Sequence, residues 1–104
     1  MKAEVAITGT GLISALGDQP AEVHRARCEK RSAVRVLEFP ERDAKMLGAS
    51  LTDFDGRKYL GDGNLRPLNH VGQLAISASQ GALENAGISR EERDAHEMDL
   101  ALGT

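Results

Sequence analysis

Two glycines separated by one residue follow a short apolar stretch near the start of the chain. Residues 4–8 are mostly apolar or β-branched and lead directly into Gly9-Thr10-Gly11. An apolar run of this length that ends in glycines is typical of a buried strand entering a tight turn. The feature therefore predicts a first strand at residues 4–8 and favours an α/β fold.

The next segment predicts the first helix. Asp18 is a residue type that caps helices, and Pro20 is tolerated in a first turn because its missing N–H has no partner there. We expect this helix to run from about Asp18 to near Arg31. Its apolar face is weak, since Pro20 and Val23 share it with polar residues.

Short strands and a loop are expected between residues 34 and 67. Residues 34–37 and 46–51 predict two short strands, which Phe39-Pro40 separates. Residues 52–67 contain three glycines, three aspartates and a proline. That composition predicts a loop with at most a turn or two of helix.

The clearest periodicity lies in residues 70–86. Asn69 suits the N-cap position, and Gly87 suits the position just after the helix. Ser89 and Glu92 form a capping-box pattern for a brief helix further on. The apolar face of the long helix consists of small residues, among them Ala75, Ala78 and Ala82. Small residues let a neighbouring element approach closely, so we expect an interior helix.

Residues 98–104 predict another buried strand that ends in a glycine turn. With it, the chain is expected to form three or four strands, an outer first helix and an inner second helix. A strand that leads into Gly-Thr normally continues into a further element, so a fold that ends there is expected to be incomplete on its own. Exposed apolar faces then predict weak stability, aggregation or dependence on a complementing chain.

Composition excludes several classes of function. The chain has 104 residues, 13 Lys and Arg against 16 Asp and Glu, and a net charge of −3, so no nucleic-acid partner is expected. Apolar runs are too short for a membrane span or a signal peptide, which predicts a cytoplasmic protein. The single Cys28 cannot form an internal disulfide, and the three histidines show no zinc-type spacing around it. No metal site is predicted.

The glycine turn supports two interpretations. In the first interpretation, a pyrophosphate binds at the turn that Gly9 and Gly11 form between a strand and a helix, and Glu38 binds a ribose hydroxyl. In the other interpretation the glycines shape a turn against packed neighbours. The second is favoured, because Ser14 occupies the third glycine position and the helix expected from Asp18 starts too late to aim its N–H groups at the turn. No cofactor-binding residue is assigned.

Five segments in chain order resemble the β-ketoacyl-acyl carrier protein synthases, which have a thiolase-like fold. The segments are Val5-Ala-Ile-Thr-Gly-Thr-Gly-Leu-Ile-Ser-Ala-Leu-Gly17, residues 18–34, Leu51-Thr-Asp-Phe-Asp55, residues 73–87 and Leu100-Ala-Leu-Gly-Thr104. The resemblance covers nearly the whole chain. It implies that residues 1–104 are the N-terminal segment of a synthase's N-terminal domain, a partial thiolase-like α/β fold.

The resemblance also implies a reaction. Enzymes of this family condense a Cys-bound acyl thioester with malonyl-acyl carrier protein in fatty acid or polyketide synthesis, and two histidines drive the decarboxylation. In the family these three residues lie downstream of the Leu-Gly-Thr strand, so the present residues imply no activity alone. Cys28 and His24 match packing positions of the first helix. His70 and His96 match a helix start and a loop, and no catalytic residue is assigned.

Partners follow from the same resemblance. Synthases meet the acidic carrier protein with basic residues just before the inner helix, and Arg66 is the residue that matches such a position. A denser basic run at residues 25–35 is more typical of a solvated helix face. The parent family is homodimeric. Two alternatives stay open: a small dinucleotide-binding module, and a non-catalytic fragment that pairs with a separate chain.

Overall fold

The computed structural model describes residues 2–51, 53–61, 63 and 65–103. Within these residues the chain is a small α/β protein with four α-helices and one two-stranded antiparallel sheet. The chain divides into two compact units. One unit is Ile13–Phe54, and the other combines Met1–Leu12 with Asp55–Thr104.

The first unit opens with helix α1, Pro20–Cys28. Its N-cap is Gln19 rather than the expected Asp18, and no side chain caps the helix there. Pro20 occupies the first helical position, as predicted, because proline fixes φ and needs no hydrogen-bond acceptor. The helix is therefore shorter at both ends than the expected Asp18-to-Arg31 segment.

A Schellman motif closes α1. The Arg31 N–H donates to the Ala26 carbonyl at 2.8 Å, and the Lys30 N–H donates to the Arg27 carbonyl at 3.0 Å. Lys30 has a φ of 56°, the left-handed conformation that glycine adopts most readily. The helix thus ends through backbone bonds that require a positive φ at a lysine.

A hairpin completes the described elements of this unit. Strand β1, Arg35–Phe39, pairs antiparallel with strand β2, Ala44–Gly48, across a 3₁₀ turn at Pro40–Arg42. Both predicted strands exist, and the break at Phe39-Pro40 is confirmed. The second strand begins and ends earlier than residues 46–51, because pairing with β1 sets its register.

The described residues of the second unit form three helices. Helix α2 is Arg57–Leu60, helix α3 is His70–Asn85 and helix α4 is Arg90–Ala95. Asn69 caps α3 by accepting the Gly72 N–H at 2.7 Å, as predicted. A single turn of helix in residues 53–61 agrees with the expected loop; residues 52, 62 and 64 lie outside the described residues.

The signals for the ends of α3 and α4 are also confirmed. Gly87 follows α3 with a φ of 74°, and the Ile88 N–H donates to the Leu83 carbonyl in a second Schellman motif. Ser89 and Glu92 form the predicted capping box, since each side chain accepts the backbone N–H of the other. The signal that ends α3 and the signal that begins α4 both depend only on neighbouring residues.

The predicted strands at residues 4–8 and 98–104 are wrong for the described residues, where neither segment forms a strand. Val5 is 94% exposed and Ile7 is 87% exposed, so the first segment is not buried either. A strand needs a hydrogen-bonding neighbour along its length, and no described segment pairs with these two. Residue 104 lies outside the described residues.

The described core is thin. Ala26 and Ser77 are fully buried, and Ala26 is the buried apolar side chain among the described residues. Helix α3 is half-buried along most of its length rather than enclosed. None of the described helices has the length and hydropathy that crossing a membrane requires.

Candidate functional site

The glycines that open the chain lie against helix α3. A Cβ on Gly11 would come within 2.5 Å of the Ala82 nitrogen and would also overlap the Ala78 carbonyl oxygen. A Cβ on Gly9 would come within 2.6 Å of the Ala86 nitrogen. Real Cβ contacts are longer, so both positions need glycine for close approach of two backbones. The packing interpretation of this turn is confirmed.

A hydrogen bond ties the same segment to the end of α3. The Thr10 N–H donates to Asn85 Oδ1 at 3.0 Å. Helix α1 begins at Pro20, nine residues after Gly11, so no helix N-terminus follows the turn directly. Glu38 forms an exposed cross-strand ion pair with Lys45 at 3.5 Å. These contacts favour the packing interpretation of the turn over the dinucleotide interpretation.

A groove of about 680 Å³ runs along one side of α3 in the same unit. Its apolar lining includes Ile76, Leu83, Ala86, Met98 and Leu100. Met98, Asp99 and Leu100, which belong to the strand predicted at residues 98–104, thus border the groove as unpaired chain. Leu100 remains 60% exposed there.

The polar side chains of this groove form a short chain of hydrogen bonds. Arg93 Nη1 donates to Gln80 Oε1 at 3.2 Å, and Gln80 Nε2 donates to Glu84 Oε1 at 3.1 Å. The Arg93–Gln80 bond links α4 to α3, and the Gln80–Glu84 bond lies within α3. Among the described side chains, Arg93 Nε and Ser77 Oγ are buried without a hydrogen-bond partner.

The predicted docking residue Arg66 lies in the connection between α2 and α3. Its side chain is exposed, and it is followed by Pro67 one turn before α3 begins. Two further exposed basic residues, Arg57 and Lys58, lie on α2, which packs against α3. Sequence reasoning missed these two because it expected residues 52–67 to be a loop with at most a turn or two of helix, and it matched only Arg66 to a docking position. The signal that could have found them is the short helix α2, which carries both residues and packs against α3.

The Asp-Phe-Asp turn also has a structural role at this point. Asp55 Oδ1 accepts the Arg57 N–H at 3.0 Å, and the Asp55 carbonyl accepts the Lys58 N–H at 3.2 Å. Aspartate at such a position satisfies the free N–H groups of a helix start. Asp55 thus lies just before the N-cap Gly56 and accepts the backbone N–H groups of the two basic residues in the first turn of α2.

Helix α1 contradicts the packing roles expected for Cys28 and His24. Both side chains are exposed rather than buried, and Cys28 is a free thiol. Cys28 Sγ lies 3.6 Å from His24 Nε2, one helical turn away. The expectation failed because α1 turns this face to solvent. His70 begins α3 as predicted, and His96 lies just after α4, where it borders the groove.

The basic side chains of the 25–35 run are all exposed, namely Arg25, Arg27, Lys30, Arg31 and Arg35. Arg25 and Arg27 occupy the last turn of α1, where cations interact favourably with the helix dipole. Arg31 forms an exposed ion pair with Glu29 at 3.9 Å. Such a pattern agrees with a solvated helix end. Among the described residues, no group of three or more His, Cys, Asp or Glu side chains is arranged to hold a metal ion.

Comparison with known proteins identifies relatives over nearly the whole chain. The chain is 27% identical to the 3-oxoacyl-[acyl-carrier-protein] synthase 2 of Coxiella burnetii and to that of Synechocystis, and 28% identical to that of Vibrio harveyi. Each alignment covers 99% of this chain. The chain is related to these synthases.

The relation is confined to one part of those proteins. This chain spans 25% of the length of each of the three relatives. No protein-family model matches the chain, and no solved structure matches it. The relation therefore concerns a segment, and it agrees with the family resemblance noted from the five sequence segments.

Proposed function

We propose that these residues form part of a 3-oxoacyl-acyl carrier protein synthase and serve it as scaffold and carrier-protein contact. The relation to three curated synthases over 99% of the chain is the observation that carries this proposal. The close packing of Gly9 and Gly11 on α3 supports the scaffold role, since both glycines belong to the segments that resemble the family. The synthase reaction would be decarboxylative condensation of an acyl thioester with malonyl-acyl carrier protein.

The proposal includes no catalysis by these residues alone. Condensation needs a thiol nucleophile together with two imidazoles near the reacting carbonyl. Within the described residues, Cys28 has one imidazole neighbour, His24, and no larger cluster of such groups exists. The thiolase-like fold of the parent enzyme, its homodimeric state and its cytoplasmic location are parts of the same proposal.

Carrier-protein contact is assigned to the basic residues before α3. Arg66 in the connecting loop and Arg57 and Lys58 on α2 are exposed and cationic. Carrier proteins are acidic, so opposite charge steers the encounter and orients the complex. The basic residues are too few for a tight complex, which suits a partner that must leave after each transfer.

An exchange experiment tests the scaffold role. The segment of the Vibrio harveyi synthase that aligns with this chain is replaced by residues 1–104, and formation of 3-oxoacyl-carrier protein is followed by mass spectrometry. We expect the exchanged enzyme to turn over, whereas the isolated chain gives no product. The same exchange with Gly11→Val should abolish turnover, because the valine side chain collides with α3. A folded exchange protein without activity, or an active isolated chain, would contradict the proposal.

A charge reversal tests the docking role in the same exchanged enzyme. Arg66→Glu is expected to raise the KM for malonyl-carrier protein about fivefold, or about 1 kcal/mol, with kcat little changed. Arg90→Glu on α4 is the matched control, since it removes the same charge from another exposed position. Equal effects of the two substitutions would show that overall charge, and not the position before α3, governs docking.

Titration of the isolated chain with NAD and NADP separates the proposal from the dinucleotide alternative. Gly9 and Gly11 pack against α3 and no helix begins directly after them, so we expect no heat of binding by calorimetry. A fragment that pairs with a separate chain is the other alternative. It would be detected as restored activity when residues 1–104 are mixed with a synthase that lacks the aligned segment.

A further inference from the structure

A positively charged side chain lies in the wall of the groove along α3. Arg93 on α4 borders the groove and is half-buried there. Within the described residues, its guanidinium has one hydrogen-bond partner, the neutral amide oxygen of Gln80 at 3.2 Å, and it forms no ion pair. Among the same residues, Arg93 Nε is buried without a partner. The function proposed above makes no use of this charge.

A half-buried cation without a counter-ion is costly. Removing a charge from water is repaid only when an opposite charge or several hydrogen bonds replace the lost hydration. Carboxylates and phosphates match a guanidinium best, because they accept two parallel N–H bonds from its planar fork. Since Nε of Arg93 is buried, an anion in the groove would bind the terminal nitrogens Nη1 and Nη2. The charge therefore indicates a ligand with an anionic group.

The rest of the groove wall is mostly apolar. Ile76, Leu83 and Ile88 are half-buried along it, and Leu100 borders it while 60% exposed. An apolar concave surface with one charged group is typical of small-molecule sites, and the volume of about 680 Å³ lies within their usual range of about 300–1,000 Å³. We propose that this groove binds a fatty acid, whose carboxylate pairs with Arg93 and whose hydrocarbon chain lies on the apolar wall.

The charges around Arg93 favour a singly charged head group. Asp99 also borders the groove, and Glu84 accepts a hydrogen bond from the same Gln80 side chain that Arg93 contacts. Both carboxylates repel an anion, and the charge of Arg93 balances one negative charge and not two. A carboxylate is therefore favoured over a phosphate monoester. Burial of the hydrocarbon chain supplies most of the affinity, because the apolar effect grows with each methylene.

Calorimetric titration of the full chain with dodecanoate, below the concentration at which dodecanoate forms micelles, tests the site. We expect saturable binding, and decanoate should bind up to about fifteenfold more weakly, because each buried methylene contributes about fourfold. Arg93→Gln should lower the affinity for dodecanoate at least about tenfold, the effect of losing a hydrogen bond to a charged group. Arg90→Gln, which removes an exposed arginine from the same helix, should leave the affinity unchanged. Circular dichroism checks that each variant keeps its helices.

A head group of opposite charge distinguishes the site from an uncovered apolar surface. Dodecyltrimethylammonium carries the same hydrocarbon chain, and it should bind the wild-type chain at least about tenfold more weakly than dodecanoate. Equal affinities for the two amphiphiles, or an Arg93→Gln variant that folds and binds dodecanoate as tightly as the wild-type chain, would overturn the proposal. Either result would make the groove an apolar face for a second copy or for the remainder of a synthase.

Discussion

Gly11 lies so close to α3 that a Cβ at this position would be 2.5 Å from the Ala82 nitrogen. Gly11→Ala should therefore lower the free energy of unfolding by about 2 kcal/mol, because the methyl group forces two backbones apart. Urea unfolding followed by circular dichroism measures the change. Gly103→Ala is the control, since a Cβ there meets no atom within 4 Å. It should change stability by less than about 0.5 kcal/mol, and equal losses would contradict the packing account.

Lys30 and Gly87 occupy the same position after α1 and α3, with φ values of 56° and 74°. A left-handed φ costs a residue with a Cβ about 1 kcal/mol, whereas glycine adopts it freely. Lys30→Gly should stabilise the protein by about 1 kcal/mol, and Gly87→Ala should destabilise it by about the same amount. Chemical denaturation of both variants checks the opposite signs; a loss of stability in Lys30→Gly would refute the assignment.

The hydroxyl of Ser77 is buried without a hydrogen-bond partner. Removing an unsatisfied buried polar group is neutral or favourable, so Ser77→Ala should raise the free energy of unfolding by up to about 1 kcal/mol. Ser79→Ala is the matched comparison, because Ser79 Oγ donates to the Ala75 carbonyl at 2.8 Å. If Ser77→Ala is the more destabilising of the two, the hydroxyl has a partner.

Asn69 caps α3 through the Gly72 N–H. Asn69→Ala should cost about 1 kcal/mol and reduce the helical circular dichroism signal, because the first turn loses its acceptor. Asn69→Asp keeps an acceptor and adds a charge that the helix dipole favours. It should therefore retain or exceed wild-type stability. Equal destabilisation by both substitutions would mean that the acceptor at position 69 does not account for the loss of stability.

The apolar segments at both ends of the described chain predict self-association. Val5 and Ile7 are 94% and 87% exposed, and Leu102 is 59% exposed. Exposed apolar segments with unpaired backbone associate in water. Ile7→Lys should reduce the average mass seen by light scattering, whereas Ala49→Lys, at an exposed position elsewhere, should not. A wild-type chain that stays monomeric and unfolds sharply and reversibly would contradict this prediction.

Predictions from the sequence succeeded for features that depend on neighbouring residues and failed for features that depend on distant segments of the chain. Asn69, Gly87 and the Ser89–Glu92 box end or begin helices through bonds to residues a few positions away, so their side chains alone predict them. The composition of residues 4–8 is typical of a strand, yet a strand forms only when a second backbone segment pairs with it. No described segment provides one.

Residue type and spacing therefore determined the capped helices α3 and α4 and the hairpin break, whereas the close approach of α3 is what requires glycine at Gly9 and Gly11. Tertiary structure alone decided that α1 turns Cys28 and His24 to solvent, and that α2 brings Arg57 and Lys58 near α3. The physical reason is the range of the interactions. Helix signals act over one turn of chain, whereas exposure and strand pairing depend on which surfaces the rest of the fold covers.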